Sequence, residues 1–383
     1  MSVTAAMGFR AAGVRAGLKK SGAPDVALVV NDGPLAVAAG VFTANRFKAA
    51  PVLWSQQVVA DGELCAVVLN SGGANACTGS PGFVDTHQTA ERVAQLLGIS
   101  AGDVAVCSTG LIGERLPMAK ILAGVDKAVA ELDIDGGGDA ATAIMTTDSV
   151  PKLAEIDIGG YAIGGMAKGA GMIAPALATM LVVVTTDAVI TAEQADSALR
   201  SATAVTFDRI DSDGCMSTND TVLLLASGAS GVTPDFAGFT AALTGVCWDL
   251  AGQIIADAEG ASKDIAIVVD EALTADDAVE VARAIARSNL LKCAIHGADP
   301  NWGRVLSAIG TTNAVFNPDL VDVAINGIWI CKGGAIGVDR DLVNLSGRAV
   351  EIRVALRAGA ESATVLTNDL TAEYVHENSA YAS

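Results

Sequence analysis

Gly164-Gly165-Met166-Ala167-Lys168-Gly169-Ala170-Gly171-Met172-Ile173-Ala174-Pro175 runs through Ala176-Leu177-Ala178-Thr179 into Met180-Leu181-Val182-Val183-Val184. The last five residues form a continuous apolar run, as expected of a central strand covered on both faces. The glycines before it carry the loose G-x-G-x-x-A pattern at 169–174. A dinucleotide fingerprint opens a helix, however, and Pro175 removes a donor where that helix would form. The segment leads into a strand instead. No G-x-x-x-x-G-K-[ST] occurs either, so nucleotide binding is not expected.

Outward from this run the same alternation continues. Upstream, strand-like pieces at 153–158 and 161–164 meet at Gly159-Gly160, a hairpin signal. Short apolar runs at 26–31, 37–42, 65–70 and 104–107 are bounded by Gly, Asn and Pro, and read as buried strands. Helical spacing marks 87–97 and 119–132. Downstream, Thr191-x-x-Gln194 opens a helix reaching about residue 204 with a capping box. A strand follows at 221–225, a helix at 235–258, a strand at 264–269 and an amphipathic helix at 276–289. Four further strands are expected at 321–325, 328–332, 350–356 and 363–366. The fold class is α/β, a layered αββα-type sandwich over 1–265 followed by a smaller α/β domain over 266–383.

Composition narrows the function. Of the 383 residues 51% are hydrophobic but only 4% aromatic, so the core must be built from Ala, Val, Leu and Ile. A net charge of −19 and the lack of any Lys/Arg block argue against nucleic-acid or anionic-membrane partners. No apolar run approaches the ~18–20 residues of a membrane span, and the first twenty residues lack the order of a signal peptide. A cytoplasmic location is the expectation. The seven cysteines are odd in number and show no C-x-x-C, which fits reduced, buried thiols rather than disulfides or zinc. Asp211-Ser212-Asp213-Gly214 resembles the start of a calcium loop but has Val222 where the twelfth-position Glu belongs, so no metal is expected.

With only three histidines and no H-E-x-x-H, the chemistry needs a different base. Thr179 offers one. A threonine freed at its own α-amino group carries a base of pKa about 7.7–8.0 beside its hydroxyl. By residue type alone a threonine opening a strand is ordinary. Ser108-Thr109-Gly110 follows a strand and places a hydroxyl next to a glycine N–H, a pair able to receive an oxyanion. By local sequence it reads equally as a turn.

Seven segments in order extend the argument: N-S-G-G-A-N-A-C-T-G (70–79), S-T-G-L-I-G-E-R-L-P (108–117), T-T-D (146–148), the run 164–181, S-T-N-D-T-V-L (217–223), D-P-N-W-G-R-V-L (299–306) and E-N-S-A-Y (377–381). As a set, over essentially the whole chain, they resemble the ornithine acetyltransferases, or glutamate N-acetyltransferases, of the arginine pathway. Gly73, where Asn is common, and Ala298, where an acidic residue is common, depart from that pattern.

The resemblance implies self-cleavage between Ala178 and Thr179, giving an alpha chain 1–178 and a beta chain 179–383, with Thr179 as nucleophile. It places Thr109 and Gly110 as the oxyanion pair, and Thr146, Lys168, Thr179, Glu259, Asn378 and Ser383 as substrate-binding residues, the C-terminal tail returning to the site. It implies a heterotetramer of two alpha and two beta chains acting on small amino-acid substrates. No organic cofactor or metal is implied, although some members also take the acetyl group from acetyl-CoA. An amide hydrolase or aminopeptidase, or a secondary-metabolism acyltransferase, on the same self-cleaving scaffold is the alternative. An uncleaved binding protein would be the non-catalytic one.

Overall fold

The computed structural model describes residues 2–172 and 180–380. They divide into two compact units. One takes in the chain up to Asp208 together with Cys215–Asp257, the other Arg209–Gly214 and the chain from Ala258 onward.

The first unit holds two sheets. One contains β1 (Phe9–Val14), β2 (Val26–Asn31), β4 (Ala66–Asn70) and β5 (Val104–Ser108), in the order β1-β2-β4-β5. The other contains β3 (Val37–Phe42), β6 (Lys152–Asp157), β7 (Ala162–Lys168), β8 (Leu181–Thr186) and β9 (Thr221–Ala226), in the order β3-β9-β8-β7-β6. Alternation along each strand sorts its side chains into two cores. Ala27, Val29, Val67 and Leu69 of the first sheet join Met166, Leu181, Val183, Leu223 and Leu225 of the second in one cluster between the sheets. Val26, Leu28, Val30, Val68 and Val106 point the other way. They pack against Val93 and Ala94 of α2 (Gly79–Leu97) and Val125 and Ala128 of α3 (Met118–Ala130). With both faces covered, the central strands β2, β4, β5, β8 and β9 are buried along their whole length and nearly all apolar.

Three more helices complete this side of the chain, α1 (Ala50–Val58), α4 (Gly137–Ala143) and α5 (Ala192–Val205), followed by α6 (Phe236–Ala256). Helices α5 and α6 pack on the second sheet, giving the layers helix, sheet, sheet, helix expected from the sequence. The capping box at Thr191 and Gln194 is formed in full. Gly164 and Gly165 in β7 are dictated by close approach on both faces. A Cβ at Gly164 would fall 1.9 Å from the Ser2 carbonyl oxygen, and one at Gly165 would fall 3.0 Å from Leu250 Cδ1 of α6.

The second unit has one six-stranded sheet of β10 (Asp264–Ala272), β11 (Asp322–Ile325), β12 (Ile328–Lys332), β13 (Ala335–Ile336), β14 (Ala349–Ala355) and β15 (Glu361–Asn368). Its helices are α7 (Ala275–Ala286), α8 (Asn289–His296), α9 (Trp302–Ile309) and α10 (Ala372–Ala380). Ile265, Ile267 and Val269 of β10 pack with Val281 and Ile285 of α7 in its core.

The structure differs from the sequence reading at several points. The division at 265/266 would fall inside β10, which pairs along its length with β14 and β15, so the strand belongs whole to the second unit. Helix α2 starts at Gly79 rather than residue 87, because Pro81 sits in the first turn, where its missing N–H is not needed. The helix read over 276–289 ends at Ala286, and Ser288 caps a separate helix, α8, that begins at Asn289. Helix α6 is long and apolar enough, by length and composition, to cross a membrane. Its buried residues Phe239, Leu243, Val246, Leu250 and Ile254 repeat at helical spacing, as in a helix lying on a sheet. Only Cys107, Cys247 and Cys331 are buried. Cys65 is half-buried, and Cys77, Cys215 and Cys293 are exposed, all of them free thiols.

Candidate active site

Strand pairing gathers the candidate residues of the first unit at strand ends. Asn70, the end of β4, is in register with Ser108, the end of β5. Lys168, the end of β7, is in register with Leu181, the start of β8, which in turn pairs with Thr221 at the start of β9. The two polar turns after β4 and β5 are tied together. Thr109 N–H donates to the Asn70 carbonyl at 3.0 Å, Ala74 N–H to the Leu111 carbonyl at 3.0 Å, and Asn70 Nδ2 to Ser108 Oγ at 2.7 Å.

Gly110 is required by conformation. Its φ is +130°, and a Cβ there would lie 2.9 Å from the Gly73 Cα. Its N–H donates to no group among the described residues. Thr109 is 2% exposed, and its Oγ1 accepts a hydrogen bond from Lys168 Nζ at 3.4 Å. An ammonium only donates, so the Thr109 hydroxyl keeps its own proton for another acceptor. The hydroxyl and the Gly110 N–H are then two adjacent donors, which is what an oxyanion requires.

Lys168 is 1% exposed, so its charge needs a partner. Asp148 Oδ2 lies 4.0 Å from its Nζ. Asp148 is the hub of this end of the unit. Its Oδ1 accepts from Lys152 Nζ at 2.6 Å and from Gly169 N–H at 2.7 Å, and its Oδ2 from Thr146 N–H at 2.9 Å. Burial pushes the carboxyl up, but Lys168, Lys152 and these hydrogen bonds outweigh it and hold it at about 2. Lys152, fully buried, reaches Asp257 Oδ2 at 2.6 Å with its remaining donors. Thr146 is thereby fixed next to Lys168 through one carboxylate.

In the second unit Glu259 and Asn378 meet directly, Asn378 Nδ2 donating to Glu259 Oε2 at 3.0 Å. Glu259 also lines a cavity of about 280 Å³ with Asp213, Arg287, Lys292, Asn368 and Tyr374. The structure thus brings Thr109, Gly110, Thr146 and Lys168 together in one unit and Glu259 and Asn378 in the other. Ala178, Thr179 and Ser383 lie outside the described residues, so the expected cleavage site and nucleophile are represented only by their covalent neighbour Met180. Among the described residues no group of three or more His, Cys, Asp or Glu side chains could hold a metal ion. Reading single residues out of T-T-D and S-T-N-D missed Asp148, Asn219 and Asp220. Their signal was an acid or amide inside a short polar motif just ahead of a strand.

Facing sheets between helical layers, with a hydroxyl and a free N–H at the strand ends beside a buried lysine, fit an acyl-transferring enzyme. The chain belongs to the ArgJ family, whose family model matches residues 10–383. It is 66% identical over 383 residues to the "Arginine biosynthesis bifunctional protein ArgJ" of Streptomyces coelicolor, with both chains covered completely. The protein of the same description from Mycobacterium leprae is 56% identical over 391 residues, covering all of this chain and 96% of that one. Among solved structures, ornithine acetyltransferase complexed with ornithine from Mycobacterium tuberculosis is 59% identical, covering 47% of this chain and 96% of that chain, with a TM-score of 0.45.

Proposed function

We propose that the protein transfers the acetyl group of N2-acetyl-L-ornithine to L-glutamate through an acetyl-threonine, releasing L-ornithine and N-acetyl-L-glutamate in arginine biosynthesis. Self-cleavage between Ala178 and Thr179 frees the α-amine that serves as base. Thr179 Oγ attacks the acetyl carbonyl, and that amine takes the hydroxyl proton. The negative charge that develops on the carbonyl oxygen is received by the Thr109 hydroxyl and the Gly110 N–H. Collapse expels ornithine, whose nitrogen takes the proton back from the amine. Glutamate's α-amine then attacks the acetyl-threonine by the same path in reverse.

The observation that carries this reading is the hydrogen bond from Lys168 to Thr109 beside a Gly110 N–H with no other acceptor among the described residues. Lys168 offers its charge to a substrate carboxylate, beside Thr146. Glu259, held by Asn378, is the group for a substrate cation, and Ser383 is a further substrate-binding residue. Base and oxyanion donors are all protein groups, so the reaction needs no organic cofactor or metal. The bifunctional description of the relatives supports acetyl-CoA as a second donor, for glutamate N-acetylation. Two alpha and two beta chains would assemble as a heterotetramer in the cytoplasm, where arginine-pathway intermediates are held.

Intact-mass measurement tests this. The expected result is two polypeptides, the second beginning at Thr179 and gaining one acetyl group with acetylornithine that glutamate removes. Loss of acetylornithine at a rate indifferent to glutamate would point to a hydrolase instead.

A further inference from the structure

The turn leading into β9 is buried at four consecutive side chains, Ser217, Thr218, Asn219 and Asp220. Successive residues of an extended chain point to opposite sides, and here the two sides reach two parts of the candidate site. Asn219 Nδ2 donates to the Ala74 carbonyl at 2.6 Å and to the Ser108 carbonyl at 2.8 Å. Ser108 immediately precedes Thr109 and Gly110. Asn219 is itself held by Thr218 Oγ1, which donates to its Oδ1 at 2.6 Å. One residue on, Asp220 Oδ1 accepts the Met180 N–H at 3.1 Å. That N–H belongs to the peptide bond joining Met180 to Thr179.

Asp220 is 0% exposed, and its Oδ2 takes no hydrogen bond among the described residues. The Thr43 hydroxyl, close by, is committed to the Ser217 carbonyl at 2.7 Å. Burial pushes the Asp220 carboxyl well above its ordinary range. The Met180 N–H, the neighbouring Ser217 and Thr43 hydroxyls and the Lys168 charge offset this only in part.

We propose that Asn219 and Asp220 are positioning residues for the acyl transfer, a single turn that fixes the peptide after the nucleophile relative to the carbonyl before the oxyanion donors. The inference rests on the acetyl-transfer reading. Oxyanion donors act only when held against the reacting carbonyl, and a misplacement of about 1 Å costs on the order of 10²-fold in rate. A neutral acid is the suitable anchor. An ionised carboxylate one peptide bond from the nucleophile would raise the pKa of the free amine and keep it protonated, which removes the base.

The test compares Asp220→Ala, Asp220→Asn and Asn219→Ala with the parent, with rates counted per acetylatable chain. Asp220→Ala and Asn219→Ala are each expected to lower kcat by about 10- to 100-fold with KM for acetylornithine within about two-fold. The double variant is expected to lose little more than either single one, since both hold one relationship. Asp220→Asn keeps an acceptor for the Met180 N–H without a charge, so it recovers most of the Asp220→Ala loss and leaves the pH profile in place. Parental kcat in both alanine variants would reduce the turn to a fold support, and Asp220→Asn as slow as Asp220→Ala would assign the ionised form instead. Either result overturns the proposal. If Asp220→Ala does not fold, the other two variants carry the comparison. Should the parent transfer no acetyl group, the acetyl-transfer reading fails on its own. The anchor is then read from the Met180 amide, whose hydrogen exchange should be faster in Asp220→Ala than in Asp220→Asn, and equal exchange would refute it.

Discussion

Lys168 Nζ donates to Thr109 Oγ1 at 3.4 Å, and neither side chain is more than 2% exposed. The direction of this bond is fixed, because an ammonium has no lone pair, and it leaves the Thr109 proton pointing elsewhere. Thr109→Ala should therefore lower kcat by about 10²–10³-fold while KM for acetylornithine barely moves, since the donor acts on charge present only in the transition state. Thr109→Ser, which keeps the hydroxyl, should recover most of the rate. Steady-state kinetics of the two variants checks this, and an alanine variant with parental turnover would remove Thr109 from the oxyanion site.

Asp148 makes a prediction in pH. Its carboxyl lies at about 2, below the ordinary 3.8, so it binds its proton less readily folded than unfolded. The stabilisation is therefore fully present above pH about 4 and is lost as pH falls through about 2, on the order of 2–3 kcal/mol in all. Asp148→Asn removes this contribution and leaves Lys152 and Lys168 facing a neutral amide. Its melting temperature should fall well below the parent's at pH 7, and the gap should narrow steadily below pH 4. A gap of constant size across that range would show that the carboxylate charge is not what holds the site.

How much of this was legible in the sequence depends on the length scale of the interaction. Strands such as β2, β4 and β8 could be read because burial on both faces leaves a continuous apolar run, a purely local signal. Strand β1 could not. Its sequence Phe-Arg-Ala-Ala-Gly-Val looks unlike a strand, and its place is set by pairing with β2 and by Gly13, where a Cβ would fall 1.9 Å from the Asp139 carbonyl oxygen. Helices α8 and α9 are eight residues each, too short for periodicity to speak, and the signals that remain are the caps Ser288 and Asn301. At the site, Thr109, Gly110 and Lys168 could be named from motifs. The roles of Asp148 and Asn219 rest on contacts with Gly169 and Ser108, 21 and 111 residues away in the chain. No local pattern encodes such a pairing.

The cysteines divide by burial, and that division is measurable. Burial pushes the Cys107 and Cys247 thiols up to about 12 and raises Cys331 as well. Nucleophilic attack needs the thiolate, so these three should resist a thiol reagent at pH 8 until the protein unfolds. The exposed Cys77, Cys215 and Cys293 should react first, and Cys65, half-buried and raised by burial, more slowly. Peptide mapping after timed labelling reads the order. Modification of Cys107 or Cys247 as fast as Cys77 in the native protein would contradict the packing around these two residues.

Variants of Glu259 and Asn378 can separate charge from hydrogen bonding in the proposed substrate recognition. Asn378 Nδ2 holds Glu259 Oε2 at 3.0 Å, leaving the other carboxylate oxygen to meet a cation. N2-acetylornithine keeps a free side-chain ammonium, and a lost charge-assisted contact costs about 1.5–3 kcal/mol, roughly a ten- to hundred-fold rise in KM. Glu259→Gln retains an acceptor for Asn378 but not the charge. It should thus be nearly as damaging to KM for acetylornithine as Glu259→Ala, while both variants still cleave to two chains. Asn378→Ala leaves the charge but frees the side chain, and a smaller rise, of a few-fold, is expected because orientation alone is lost. Glutamate has no side-chain cation, so its KM should respond less than that of acetylornithine in all three variants. If Glu259→Gln leaves both KM values at the parental level, the carboxylate does not touch substrate, and the Asn378 contact is then only a support for helix α10.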